Sequence, residues 1–147
     1  RSPVRIVLDR QARLLETSKL MRTAGRVPLL IAACPEVDPD RKAMLERAGA
    51  RFLATESADG EIALPELLDD LAAQGMSSLI VEGGAETARA FLAEGLVDRI
   101  VLFRGSEPVG EGGIAAPIDR DHIPAGFRLL REMRFADDGF AEWVKDY

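Results

Sequence analysis

"SSLIVEGGAETARAFLAEGLVDRIVLF", residues 77–103, carries the most information in the chain. An apolar run, Leu79-Ile80-Val81, stops at Glu82-Gly83-Gly84; a helical stretch and a second apolar run, Ile100 to Phe103, follow. Leu79-Ile80-Val81 is apolar on both faces, which marks a central strand covered by helices on each side. Ala85, Ala88, Phe91 and Leu92 give the next helix a buried stripe that Gly95 ends, and Ile100 to Phe103 reads as another buried strand. Ligands of open α/β sheets bind beyond the carboxyl ends of strands, and a helix start there presents unpaired N–H groups with roughly half a positive charge. Gly83 and Gly84 have no side chain to hold a phosphate away from those donors. Glu82 sets an acceptor into the same crevice, suited to the N–H edge of a heterocycle. The plainer reading is a tight turn beside a solvated carboxylate, and spacing alone leaves both open. Neither the dinucleotide fingerprint G-x-G-x-x-G nor a P-loop is met. Glu86, in the first helical turn, suits the helix dipole but repels a phosphate unless it points away.

The rest of the chain supplies the frame. Val4 to Leu8 reads as a strand ending in Asp9; residues 10–26 are irregular, with one helical turn near Thr17 to Thr23; Val27 to Ala33 is a buried strand. Asp38 caps a helix with Pro39 in its first turn, and Gly49 closes it. Arg51 to Ala54 is a third strand. Pro65 opens a helix whose stripe is Leu64, Leu67, Leu68 and Leu71, closed by Gly75. Strands alternating with helices predict a mostly parallel sheet. After the glycine-rich "GSEPVGEGGIAAP", Phe127, Leu129, Met133 and Phe135 fall on one face, and Asp138-Gly139 signals a two-residue hairpin. The expected fold class is therefore α/β: a mostly parallel central sheet flanked by helices and ending in an antiparallel hairpin, in one domain over residues 1–147.

Composition narrows the function classes. A chain of 147 residues, 47% hydrophobic, suits one domain, and no apolar run approaches the roughly 20 residues of a membrane helix. One Cys34 and one His122 leave too few soft ligands for zinc, so the expectation is no metal and a reducing, cytoplasmic setting. The net charge of −6 argues against nucleic acid. Within residues 1–26, however, Arg1, Arg5, Arg10, Arg13, Lys19, Arg22 and Arg26 face only Asp9 and Glu16. That local excess suits a small anionic ligand, although charges scattered over a solvated surface fit it equally well. No nucleophile stands beside a base, so no catalytic side chain is assigned.

"LIVEGGAETARAFLAEGLVDRIVLF", together with "PVRIVLDR" at residues 3–10, resembles the C-terminal reductase domain of the riboflavin-biosynthesis deaminase/reductase family. The resemblance implies a dihydrofolate-reductase-like fold. It also implies NADPH-dependent reduction of 5-amino-6-(5-phosphoribosylamino)uracil to its ribitylamino product. Hydride passes from the nicotinamide to the sugar carbon of a ring-opened, imine-like ribosylamine. Glu82 would hold the substrate's pyrimidine. Gly84, Ala85, Glu86, Thr87, Ala88, Arg89 and Ala90 would line the NADPH phosphates through backbone and the Thr87 hydroxyl. Arg10 stands where the family often has a serine touching NADPH; it either pairs with the 2′-phosphate or turns to solvent.

Other stretches depart from that pattern. "RGSEPVGEGG" replaces the family's A-P-x-L-L-G-G but keeps glycines for a flexible loop beside the site. The family's upstream strand and helix, which supply an aspartate toward substrate, are not among these residues. The deaminase half's zinc signature has no counterpart, so His122 reads as a loop residue and Cys34 as an apolar filler. Trp143 and Tyr147 read as core or dimer-contact residues, and Arg89 and Arg104 as ligands or solvated cations. Two alternatives stay open: a non-catalytic nucleotide-binding or dimerisation module, and a sibling reductase acting on another pyrimidine or pterin-like substrate. The expected partners are a small phosphoribosylaminopyrimidine and, from the exposed edges of the antiparallel pair, a second copy of the chain, with neither nucleic acid nor membrane.

Overall fold

The computed structural model describes residues 2–107 and 109–147. The chain divides into two compact units, Arg1–Leu79 and Ile80–Tyr147. In the first, β1 (Arg5–Leu8), β2 (Leu29–Ala32) and β3 (Arg51–Leu53) form a parallel sheet in that order, as the alternation of strands and helices requires. The middle strand β2 is buried at every residue. Its Leu29 and Ile31 pack with Ala12, Met21, Leu45 and Ala50 to make the core of this unit. Arg5 anchors the start of β1, its guanidinium donating to Thr23 Oγ1 at 2.6 Å and Val27 O at 2.5 Å.

Local chemistry accounts for the helix ends. The short α1 (Lys19–Arg22) begins at Ser18, whose Oγ accepts from Met21 N–H at 3.2 Å. Asp38 caps α2 (Pro39–Arg47): its Oδ1 accepts from the N–H groups of Asp40 and Arg41 at 2.7 and 3.1 Å. Gly49, at φ 102°, carries the chain out of α2 in the left-handed region. Arg41 reaches back from α2 to the carbonyls of Ala12 and Leu14 at 2.9 and 2.6 Å, fixing the loop after β1. In α3 (Leu64–Ala73), Leu64, Leu67 and Leu71 are buried as the stripe requires, with Leu68 half-buried at its margin. A small hairpin of β4 (Ser57–Ala58) and β5 (Glu61–Ile62) adds an element too short for periodicity to reveal. Its turn is Asp59-Gly60, both at positive φ (54° and 78°), the geometry that favours Asp-Gly.

The second unit contains α4 (Ala85–Ala93), β6 (Arg99–Arg104), β7 (Phe127–Phe135) and β8 (Asp138–Lys145), with the strands in the order β6-β8-β7, all antiparallel. The sheet is thus not mostly parallel: parallel pairing ends at β3, and the C-terminal strands make a separate antiparallel sheet. Leu79-Ile80-Val81 is not the expected strand, because it finds no ladder partner among the described residues, and Ile80 is 81% exposed. Ile100 to Phe103 does form a strand, yet only Ile100 is buried and Phe103 is 72% exposed.

Burial explains the strand order. Phe140, Ala141, Glu142 and Trp143 of β8 are all buried, so β8 takes the centre, while arginine-rich β7 lies at an edge where charge is tolerated. The hairpin turn falls at Ala136-Asp137, between paired Phe135 and Asp138, rather than at Asp138-Gly139. Ala136 adopts φ 54°, and Asp138 instead begins β8, its Oδ1 accepting from Ser106 N–H at 3.1 Å. A bulge between Leu129 and Arg131 inserts one residue and reverses the facing of every later position on β7. Phe127, Leu129, Met133 and Phe135 therefore do not share a face. Phe127 joins the cluster of Ile100, Ala141 and Trp143, whereas Met133 pairs opposite Phe140 on the other side.

On that second face sits Glu142, 1% exposed and flanked by a guanidinium from each neighbouring strand. Arg99 Nη1 reaches Oε1 at 2.6 Å, and Arg131 Nε reaches Oε2 at 2.5 Å. The Arg131 hydrogen bond, aided by the Arg99 charge, holds the carboxyl below its ordinary value of 4.5. The folded protein therefore binds fewer protons than the unfolded chain around that value. Glu142 contributes full stability above pH 4.5 and loses it as pH falls through the lowered folded value. Thermal melts from about pH 7 down to about pH 3 should show a shallower acid loss in Glu142→Gln than in wild type; equal slopes would remove Glu142 from the acid response.

Candidate functional site

The break between Glu82 and Ala85 is built by backbone conformation. Gly83 has φ 123°, a region closed to L side chains, and Gly84 is the N-cap of α4 at φ −53°, ψ 152° with no side-chain hydrogen bond to the helix. Ala88 N–H donates to Gly84 O at 3.3 Å, so the donors outside the helix ladder are those of the turn before it. A Cβ added at either glycine would meet no heavy atom within 4 Å. Glu82, Gly83 and Gly84 are all exposed, Thr87 and Ala88 are half-buried, and Arg89 and Ala90 face outward. The turn is open, and its first N–H groups carry the positive end of the helix dipole.

Two side chains beside this turn are already engaged. Arg89 Nη1 holds Glu86 Oε1 at 2.5 Å, and its Nη2 donates to Ala115 O at 3.3 Å. The pair offsets the glutamate charge that would oppose an anion at the helix start, and it commits Arg89 to structure. Glu82 makes no side-chain hydrogen bond or ion pair among the described residues. This carboxylate is free to accept.

Arg10 lies in the other unit, beyond the carboxyl ends of β1 and β2, and borders a cavity of about 350 Å³ with Gln11, Cys34, Glu36, Val37, Asp38 and Gly60. It neither stands free nor turns to solvent alone: it is paired with Glu61 of β5 and donates to Gly60 O at 3.3 Å. Burial, reinforced by the Glu36 carboxylate, pushes the Cys34 thiol above its ordinary value of 9.0, so it is protonated at neutral pH. Cys34 is thus an apolar filler that also walls a cavity.

Sequence reasoning missed the hairpin cation partner Glu61, although Asp59-Gly60 announced the turn that presents it. It also missed Arg120 and Arg134, which line a cavity of about 520 Å³ with Arg104 in the C-terminal unit; Arg120 is bound to Glu132 at 2.9 Å. Nothing in local periodicity brings residues 104, 120 and 134 together. His122 is an exposed loop residue whose Nδ1 lies 2.8 Å from Asp119 Oδ1, and that bond lowers the Asp119 carboxyl below its usual range. Trp143 is core, whereas Tyr147 is 95% exposed with its hydroxyl on Asp98.

Residues 1–138 match the model of the RibD C-terminal domain family. The riboflavin biosynthesis protein RibD of Bacillus amyloliquefaciens is 32% identical over 117 residues, which is 80% of this chain and 30% of that protein. The 2,5-diamino-6-ribosylamino-4(3H)-pyrimidinone 5′-phosphate reductase of Archaeoglobus fulgidus is 27% identical over 118 residues, covering 79% of this chain and 50% of the relative. Among solved structures, RibD of Acinetobacter baumannii aligns with a TM-score of 0.74 at 24% identity, over 97% of this chain and 38% of its own. A pyrimidine reductase-like protein of Corynebacterium diphtheriae aligns with a TM-score of 0.74 at 17% identity, over 99% and 62%. The fold is thus the α/β fold of these reductase-domain structures, and the chain belongs to the RibD C-terminal domain family. It spans about a third to a half of the curated relatives it matches.

The glycine geometry makes a checkable contrast. Gly83→Ala forces a side chain into φ 123° and should cost about 1 kcal/mol or more in denaturant melts. Gly84→Ala keeps an ordinary backbone and should cost only a few tenths of a kcal/mol as a poorer cap.

Proposed function

We propose that the chain is the reductase domain of a riboflavin-pathway enzyme, of dihydrofolate-reductase-like fold over residues 1–147. In this reading it reduces 5-amino-6-(5-phosphoribosylamino)uracil with NADPH. The observation that carries the reading is the uncapped, open start of α4 directly behind a carboxylate with no partner among the described residues. NADPH, when bound, supplies the hydride. The donors of Gly84, Ala85, Glu86 and Thr87 fit a diphosphate, with Ala88, Arg89 and Ala90 completing that turn. Glu82 accepts from the pyrimidine N–H groups and orients the ring. The chain's share of the chemistry is alignment, for which effective-concentration gains of roughly 7 to 11 kcal/mol are available. No helix among the described residues is long and apolar enough to cross a membrane, which suits the cytoplasmic placement the reading takes.

Titrating the 147-residue chain with NADPH and then supplying the aminouracil tests this. Glu82→Gln should lower kcat/KM by roughly 10- to 100-fold, as loss of a charged hydrogen bond does, with NADPH affinity unchanged. Full activity in that variant removes the role given to Glu82. NADPH binding without turnover would favour the non-catalytic nucleotide-binding module, and turnover of a different pyrimidine or pterin would favour the sibling reductase.

A second copy of the chain fits the open face of the C-terminal sheet. Val101, Phe103, Met133 and Phe135 are exposed there around buried Phe140, an apolar group that solvent does not favour. In sedimentation, Phe103→Glu should shift a dimer toward monomer; unchanged association would place any interface elsewhere.

A further inference from the structure

The cavity at the carboxyl ends of β1 and β2 is where an open parallel sheet receives a ligand, and among the described residues it holds one guanidinium, that of Arg10. In dinucleotide sites an arginine accommodates the 2′-phosphate of NADP, whereas an acidic residue meets the bare ribose hydroxyls of NAD. This cavity carries both signals. Arg10 is paired with Glu61, and Glu36 and Asp38 stand on the wall. Asp38 has one oxygen committed to the start of α2. Carboxylates thus outnumber the cation, and the cation is occupied.

We infer that Glu61 is a specificity-determining residue: by occupying Arg10 it holds down the preference of this cavity for a 2′-phosphorylated dinucleotide. Arg10 and Glu61 are 44% and 69% exposed at their side chains. An exposed pair of this kind shifts an equilibrium by at most about fivefold. A charge-assisted, two-pronged arginine–phosphate contact is stronger. A 2′-phosphate therefore displaces Glu61, and the displacement weakens its binding by the strength of the lost pair. The bare ribose of NADH leaves the pair in place. Releasing Glu61 also unties the β4–β5 hairpin, whose turn carbonyl at Gly60 is the second acceptor on Arg10.

The inference rests on the nicotinamide-cofactor reading, and the test separates the two. NADPH and NADH affinities are measured by fluorescence titration for the full chain, Glu61→Gln and Arg10→Gln. Because both side chains are on the surface, circular dichroism melts should match wild type. Glu61→Gln should raise the NADPH-over-NADH ratio by roughly two- to fivefold through tighter NADPH binding, with NADH little changed. Arg10→Gln should bring the ratio to the wild-type value or below. In wild type, hydrogen exchange at residues 57–62 should speed up on saturation with NADPH and not with NADH. A ratio that stays at its wild-type value in Glu61→Gln, while both dinucleotides bind, overturns the role of Glu61 and leaves the cofactor reading standing. Binding of neither dinucleotide by any variant overturns both.

Discussion

A left-handed backbone at Gly83 and an uncapped Gly84 leave the first turn of α4 with donors that no side chain answers among the described residues. Hydrogen-bonding groups of that kind stay satisfied only by water or by a ligand, and here a Cβ added at either glycine would meet no heavy atom within 4 Å. Placing Glu82 immediately before them brings a negative acceptor and positive donors within three residues. One turn thus presents donors and an acceptor side by side. The Arg89–Glu86 pair bears on the same turn, since it offsets the charge of the acid in the first turn of α4.

The two units solve the burial of charge differently. Around β2 the core is wholly apolar, and polar groups such as Asp9 and Arg41 serve the adjoining loops, Asp9 Oδ2 accepting from Leu14 N–H at 2.7 Å. In the C-terminal sheet a carboxylate occupies the middle of the central strand, and it is tolerated because both oxygens are met by guanidinium groups from the flanking strands. Arg131 also lies over the Phe140 ring, 5.2 Å from its centroid, with Phe103 packed tilted and Phe135 edgewise against that ring. A slip of one residue would carry Glu142 to the Trp143 side, so the triad and the bulge together hold the register.

Much of this was legible in the residues. Period-3.6 leucines located α3, Asp38-Pro39 located the start of α2, and the Gly-Gly break located the start of α4. The family resemblance itself was legible, since the family model matches residues 1–138. The strands were less legible. An apolar triplet such as Leu79-Ile80-Val81 states that it can be buried, and a strand exists only where another backbone completes its hydrogen bonds.

The sequence by itself determined the helix boundaries and the glycine turn behind Glu82, because caps, periodicity and left-handed glycines act over a few neighbouring residues. Only the tertiary structure decided that β8 lies between β6 and β7, that a bulge at Leu129–Arg131 sends Phe127 and Met133 to opposite faces, and that Arg10 is held by Glu61. Those outcomes depend on pairings between residues 11 to 51 positions apart, where ladder register and charge contact are set by the folded backbone rather than by local preference.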